Sequence, residues 1–216
     1  MQQKNSLIEA KFPAGFASVF RGIFLERKEF LPLISGKGSV ASIKYWLIPV
    51  LAFSFAFAFI APQIKVLSTG NPFVKNPVGY GLITFFGFFA AIYLFSLVLD
   101  KVGKFFKKKS KFEEIFSIFM HIEGIILIFG GIFSVLIGVF TGINVVLVLP
   151  ILAISTALGI YRIYLHVYSV SIVYAISLGE ALMVYVASVV LTFFLALVLF
   201  LIFGLPVLTS FIKGVV

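Results

Sequence analysis

The sequence contains no cysteine in its 216 residues, which excludes disulfide bonds, thiol nucleophiles and cysteine-ligated metal sites. Charge is also sparse, since charged residues make up 12% of the chain and only 8 of them are acidic. Glycine-rich phosphate loops, the serine elbow G-x-S-x-G and paired acids at hydrolase spacing are missing from the sequence. We therefore predict a protein that is not an enzyme and that needs no cofactor or metal.

Apolar residues dominate the chain. They account for 62% of it, and the mean hydropathy is +1.19, which is typical of membrane proteins. Backbone groups in lipid must be paired within their own segment, so long apolar runs predict membrane-spanning helices. Five such runs occur: Tyr45 to Pro62, Val78 to Leu99, about Ile115 to Phe140, Ile143 to either Arg162 or Ile176, and Ala181 to about Leu205. The predicted fold is an all-α, polytopic bundle of five transmembrane helices.

The basic residues divide the chain and orient it. We predict a cytoplasmic N-terminal segment over 1–44, a transmembrane domain over 45–205 and a short external tail over 206–216. Lysine and arginine number seven before the first span and six in the second loop, against two, none and one on the other side. The positive-inside rule then predicts a cytoplasmic N-terminus and an external C-terminus, in the cell membrane if the protein is prokaryotic. Because the first nine residues are polar, we expect no cleavable signal peptide.

Ionisable residues inside the third and fourth spans are the first candidate site. The predicted tight turn at 141–144 makes these spans an antiparallel hairpin, so residues equally far from the turn lie at equal depth. Glu123 and Arg162 meet this condition, and His121 and His166 differ from it by about one helical rise. We therefore predict one intramembrane polar layer formed by His121, Glu123, Arg162 and His166.

Small and polar residues follow helical spacing around this layer. The stripes are Ser155, Gly159, Arg162, His166 and Ser169 in the fourth span, Ser117, Gly124, Gly131 and Gly138 in the third, and Tyr185, Ser188 and Thr192 in the fifth. The glycine seam of the third span predicts close approach of another helix. The charged layer has three interpretations: an ion pair that fixes helix packing, a proton- or substrate-linked site in a cavity, or a His/Glu metal site. The last is disfavoured because Arg162 would repel the cation.

The N-terminal segment and the second loop are the other candidate sites. Phe16, Phe20 and Phe24 follow helical spacing with Arg21 turned away from them, which predicts an amphipathic helix in the membrane interface. The alternative is a helix packed against the transmembrane bundle. Lys107, Lys108 and Lys109 are interpreted as a positive-inside signal, with a lipid-headgroup site as the alternative.

The overall layout resembles the Yip1 domain family over residues 14–205. The resemblance is carried by five spans, a basic amphipathic lead-in, the entry Lys111-Phe112-Glu113-Glu114 into span three, and Ser177-Leu178-Gly179-Glu180-Ala181 before span five. It implies a helical integral membrane protein without enzymatic activity. Eukaryotic members act in vesicle trafficking and bind small GTPases through a long cytosolic segment, a role not carried over to this short one. The family commonly has a proline early in span three, where this chain has His121-Ile122-Glu123-Gly124.

Two functional hypotheses follow. The leading one is a non-enzymatic membrane protein of Yip1-like type that organises the bilayer or partner proteins, either other membrane proteins or further copies of itself. The alternative is a small transporter or channel that uses the Glu123, Arg162 and histidine layer as its polar path. A cavity that reaches the layer is the feature that separates them, since a dry, packed layer excludes transport. Nucleic acid is not an expected partner, because clustered basic residues in a membrane protein report orientation.

Overall fold

The computed structural model describes residues 16–36, 38–60, 77–106, 109–143, 146 and 148–204. Over these ranges the chain forms seven α-helices. They are α1 (Phe16–Phe24), α2 (Arg27–Ser35), α3 (Gly38–Ile60), α4 (Pro77–Phe106), α5 (Phe112–Ile143), α6 (Val148–Tyr174) and α7 (Leu178–Leu199), with a π-helical segment at Phe200–Gly204. Lys107, Lys108, the side chain of Phe16 and the tail 206–216 lie outside the described residues.

Helices α3 to α7 are each long and apolar enough to cross a membrane. This confirms the predicted fold class, an all-α polytopic bundle with five spans. These helices begin or end at residues other than the predicted ones. Helix α3 begins at Gly38 rather than Tyr45, α4 continues beyond Asp100 to Phe106, and α5 includes the first three residues of the turn predicted at 141–144. The polar residues at these ends are tolerated within helices and do not terminate them.

The connection between α6 and α7 settles where the fourth span ends. Helix α6 passes Arg162 and ends at Tyr174, because Ala175 adopts the left-handed conformation (φ 51°) and the Ile176 N–H donates back to the Ser171 carbonyl at 3.1 Å. Ser177 then caps α7, which begins before the predicted Ala181. Its hydroxyl accepts from the Glu180 N–H at 3.2 Å, and the Glu180 carboxylate accepts from the Ser177 N–H at 2.8 Å.

Helix α5 is the centre of the bundle. It packs against α3, α4 and α6, while α7 packs against α4 and α6. Helices α4, α5, α6 and α7 therefore close a ring of four, and α3 lies outside this ring against α4 and α5. The ring matters because it surrounds the candidate site.

The glycine seam of α5 receives α3, as predicted. A Cβ atom at Gly124 would lie 2.5 Å from ring carbons of Trp46, and one at Gly131 would lie 1.8 Å from the Phe53 ring. Near the start of the seam, the hydroxyls of Ser42 and Ser117 are 2.6 Å apart. Small residues thus let two large aromatic side chains of α3 lie directly against the α5 backbone.

The two ends of the bundle are packed very differently. At the end that carries the 101–111 lysines, called here the lysine-rich end, every α5 residue from Ile115 to Ile122 is buried. Toward the opposite end, every residue from Phe193 to Ile202, at the end of α7 and in the π-helical segment, is exposed. The chain therefore has a close-packed core at its lysine-rich end and a more exposed α7 beyond it.

Asp100 connects the elements that meet at the lysine-rich end. Its carboxylate is 2% exposed and accepts hydrogen bonds from Ser110 Oγ (2.7 Å), the Lys111 N–H (2.6 Å) and Tyr174 Oη (3.0 Å), with Lys104 Nζ at 3.5 Å. A buried carboxylate is costly unless its oxygens are paired in this way. The contacts join the end of α4, the following loop and the end of α6.

Helices α1 and α2 pack on the outside of α5 and α6. Phe20 lies 5.6 Å from the Phe129 ring, Phe24 stacks on Tyr161 at 5.3 Å, and Ile23 between them is buried. Two placements were predicted for this amphipathic helix, in the membrane interface or against the bundle. In the structure it packs against the bundle. Its apolar face is covered by the chain's own α5 and α6.

The seam gives a direct stability prediction. Replacing Gly124 with alanine should destabilise the protein, because the new methyl group meets the buried Trp46 ring and overpacking costs about 1–3 kcal/mol. Gly130 is the matched control, because a Cβ there meets nothing within 4 Å. Gly130→Ala should leave stability unchanged or raise it by up to ~1 kcal/mol through helix propensity. Thermal unfolding in detergent measures both, and equal melting temperatures would contradict the close approach of α3.

Candidate functional site

Glu123 and Arg162 meet inside the ring of α4 to α7. The Arg162 Nε donates to Glu123 Oε1 at 2.7 Å, so the predicted pairing across the hairpin is present. The two side chains differ in exposure: that of Arg162 is 45% exposed and that of Glu123 is 13% exposed. The cation is therefore the more accessible member of the pair, near the midpoint of the 27-residue α6.

His166 extends this pair toward α7. Its Nε2 lies 2.9 Å from the same Glu123 oxygen, although the ring N–H does not point at that oxygen well enough to count as a hydrogen bond. Its Nδ1 is 3.3 Å from the Tyr185 hydroxyl, and its ring stacks on Phe119 with centroids 4.3 Å apart. The imidazole is 3% exposed. Glu123, Arg162, His166 and Tyr185 thus form one continuous polar cluster.

His121 does not join this cluster. Its Nδ1 contacts the Ser117 carbonyl at 2.8 Å, and its ring packs against Tyr45 (5.4 Å) and Trp46 (6.1 Å) of α3. Residues 121 and 123 are two positions apart on α5, which turns their side chains about 200° from each other. The four predicted residues share a level of the hairpin, but His121 faces α3 while the other three face the ring.

The polar cluster lines a cavity. The cavity has a volume of about 360 Å³ and lies among α4, α5, α6 and α7. Its lining residues are Phe88, Ala91, Ile92, Phe95, Phe119, Glu123, Arg162, His166, Tyr185, Val189 and Thr192. The polar layer is therefore not sealed by packing, and Tyr185 and Thr192 from the predicted α7 stripe both reach the same space.

The arrangement offers two kinds of chemistry, which are proton exchange and the binding of an anion by a guanidinium. A carboxylate, an imidazole and a phenol in successive contact can hold a proton and exchange it along the line. The guanidinium of Arg162 uses one of its five N–H donors on Glu123, and the others make no hydrogen bond to a described residue. Within the part of the chain that the structure describes, no three His, Asp or Glu side chains gather to hold a metal ion.

The remaining predicted site residues that the structure describes lie on the outside of the bundle. Arg21 is exposed and pairs with Glu26 at 2.7 Å, while Phe20 and Phe24 contact α5 and α6 as described above. Lys109 is exposed at the lysine-rich end. None of them lies near the cavity.

Sequence reasoning missed the Asp100 cluster. Asp100 follows the apolar run that ends at Leu99 and stands beside Lys101, a pattern that indicates the end of a span. The available signal was its position one helical turn before Lys104, a spacing that favours a continued helix. Its contact with Tyr174 joins residues 74 positions apart, which no local pattern indicates.

Comparisons with known proteins place no further constraint on this site. No protein-family model, no curated protein and no solved structure matches the chain. The five long apolar helices indicate an all-α, multi-pass integral membrane protein, and the structure gives it a charged cluster in a cavity between its helices.

The contact between Glu123 and Arg162 can be tested with a double-mutant cycle. A lone charge of either sign within lipid costs about 2.5–3.5 kcal/mol on insertion scales. Glu123→Gln and Arg162→Gln should therefore each destabilise the protein more than the double substitution does. Unfolding of purified protein in detergent measures the coupling. Strictly additive effects would show that the two groups do not interact.

Proposed function

We propose that this protein is a non-enzymatic membrane transport protein that binds a small ligand in the cavity among α4 to α7. The proposal is carried by one observation: the 360 Å³ cavity reaches Glu123, Arg162 and His166. Ionisable side chains within a membrane bundle that face a cavity are the usual mark of a substrate or proton path. Of the two hypotheses drawn from the sequence, the transporter is the one that requires this feature.

The cluster supplies what a ligand-coupled site needs. Arg162 is accessible from the cavity side, while His166 is buried and linked to both Glu123 and Tyr185. A ligand that draws Arg162 away from Glu123 would leave the carboxylate free to take a proton. Binding and protonation are thus linked through a single contact in this proposal.

Water access to the cavity is the decisive test. The chain has no cysteine, so a single introduced cysteine reacts without background. Val189→Cys places a thiol in the cavity lining, whereas Val190→Cys places one outside it, at similar exposure (43% and 49%). A charged methanethiosulfonate applied to membrane vesicles should label Val189→Cys and leave Val190→Cys largely unlabelled, because lipid suppresses the reactive thiolate. Equal resistance of both positions would mean a dry cavity and would refute transport.

A second candidate function is favoured by the loose end of the bundle. From Phe193 through the π-helical segment to Ile202, no residue is buried by another described element, and a Cβ at Gly159 on α6 meets nothing within 4 Å. Apolar helices with free small-residue positions suit association with other membrane helices. This supports the Yip1-like hypothesis of a protein that organises partner proteins or copies of itself. Yip1 membership and the cytoplasmic N-terminus stay predictions.

Cross-linking in native membranes tests this second candidate. Phe194→Cys lies on the loose part of α7, and Phe86→Cys on α4 is a comparable exposed position (56% and 62%). If α7 is an association surface, a short bismaleimide should cross-link Phe194→Cys several-fold more efficiently than Phe86→Cys. Equal yields from the two positions would indicate random collision and would count against organised association.

A further inference from the structure

The geometry points to an amphiphile with a negatively charged head and a short apolar tail as the ligand of this cavity. The inference rests on the proposed function and names its ligand class. It combines three properties of the site, which are the accessible guanidinium of Arg162, the apolar remainder of the lining, and the position of the site relative to the charged turn between α1 and α2.

The head is assigned to Arg162. This side chain is 45% exposed against 13% for Glu123, so an incoming group meets the guanidinium before the carboxylate. Only Nε is committed to Glu123, and the planar fork of the remaining N–H donors matches the two oxygens of a carboxylate or phosphate.

The tail is assigned to the apolar part of the lining. Phe88, Ala91, Ile92 and Val189 border the cavity with hydrocarbon alone. If each non-hydrogen atom with its hydrogens occupies about 30 Å³, as a water molecule does, the cavity of about 360 Å³ accommodates roughly twelve of them. A ten-carbon carboxylate has that size. A fully polar solute would leave the apolar surface uncovered, and a two-chain lipid would exceed the space.

The level of the site suits a head of this kind. The α1–α2 turn and the start of α2 carry Glu26, Arg27 and Lys28, and the Arg27 guanidinium lies over the rings of Tyr164 and Tyr168 at 5.4 and 5.8 Å. Three successive charged residues are costly in hydrocarbon, so we expect the polar boundary of the membrane at the level of this turn, on the lysine-rich side of the site. Arg162 is about 3 Å of helical rise from Tyr164. An amphiphile from this leaflet would bring its head to Arg162 and its tail into the cavity.

Binding of radiolabelled decanoate tests the inference. The full-length protein is placed in phosphatidylcholine nanodiscs, and saturable binding is measured against empty discs. Ala91→Phe fills the cavity and should weaken binding about tenfold or more, whereas Ala90→Phe, the neighbouring exposed position outside the lining, should not change it. The double variant Glu123→Gln/Arg162→Gln should also lose binding while remaining folded. Equal binding by the Ala91→Phe and Ala90→Phe variants would overturn the site.

Competitors test the charge of the head. Unlabelled decanoate should displace the label, while decanol and decyltrimethylammonium should compete at least about tenfold less well. Competition by the cation as strong as by decanoate would overturn the anionic head. Displacement by decyl phosphate as strong as that by decanoate supports a single-chain phosphate as the natural source, and displacement by decanoate alone supports a free carboxylate.

Different results would contradict the ligand class and the proposed function. Absence of saturable decanoate binding, with Val189→Cys still labelled from water, would overturn the anionic amphiphile and leave transport of another solute intact. Failure to label Val189→Cys would overturn transport regardless of what decanoate does.

Discussion

The contact between Glu123 and Arg162 joins α5 to α6 where both helices are surrounded by apolar side chains. Lipid offers neither charge a substitute partner, so each helix is held in register by the need to keep the other's charge matched. That register brings His166 to the same carboxylate oxygen and directs all three groups into the ring of α4 to α7. The candidate site and the arrangement of the helix hairpin thus depend on one interaction, which serves structure and chemistry together.

Packing density changes along the bundle, and the cavity follows from that change. At the lysine-rich end, serine and glycine positions let α3 press against α5, and Asp100 gathers the ends of α4 and α6. Among the described residues beyond Glu123, no comparable cluster holds α7 against the bundle, and the last turns of α7 are exposed. The cavity lies next to the charged cluster, where this close packing ends. Tight packing throughout would have closed the site.

The sequence predicts relations within one helix or one hairpin well, and relations between distant helices poorly. Glu123 and Arg162 were paired correctly because an antiparallel hairpin has a fixed rise, even though α5 continues to Ile143, into the predicted turn. His121 was wrongly assigned to the same site. It lies at the same level of the bundle, but the level does not indicate which neighbouring helix a side chain faces. The cavity could not be predicted, since it depends on how Phe88 and Val189 are spaced across two helices far apart in the chain. The α1 pattern likewise fits lipid and protein neighbours equally well.

The Asp100 cluster has a consequence for how the protein is made. Asp100 and Tyr174 are separated by 74 residues, so the carboxylate leaves the ribosome long before its phenolic partner. In that interval only partners close in sequence are within reach, namely Lys104 one turn along the same helix and the loop groups of Ser110 and Lys111. These local contacts would shield the charge while α4 and α5 enter the bilayer as a pair. Tyr174 then locks the assembly only after α6 has been synthesised, which makes this contact a late step of biogenesis.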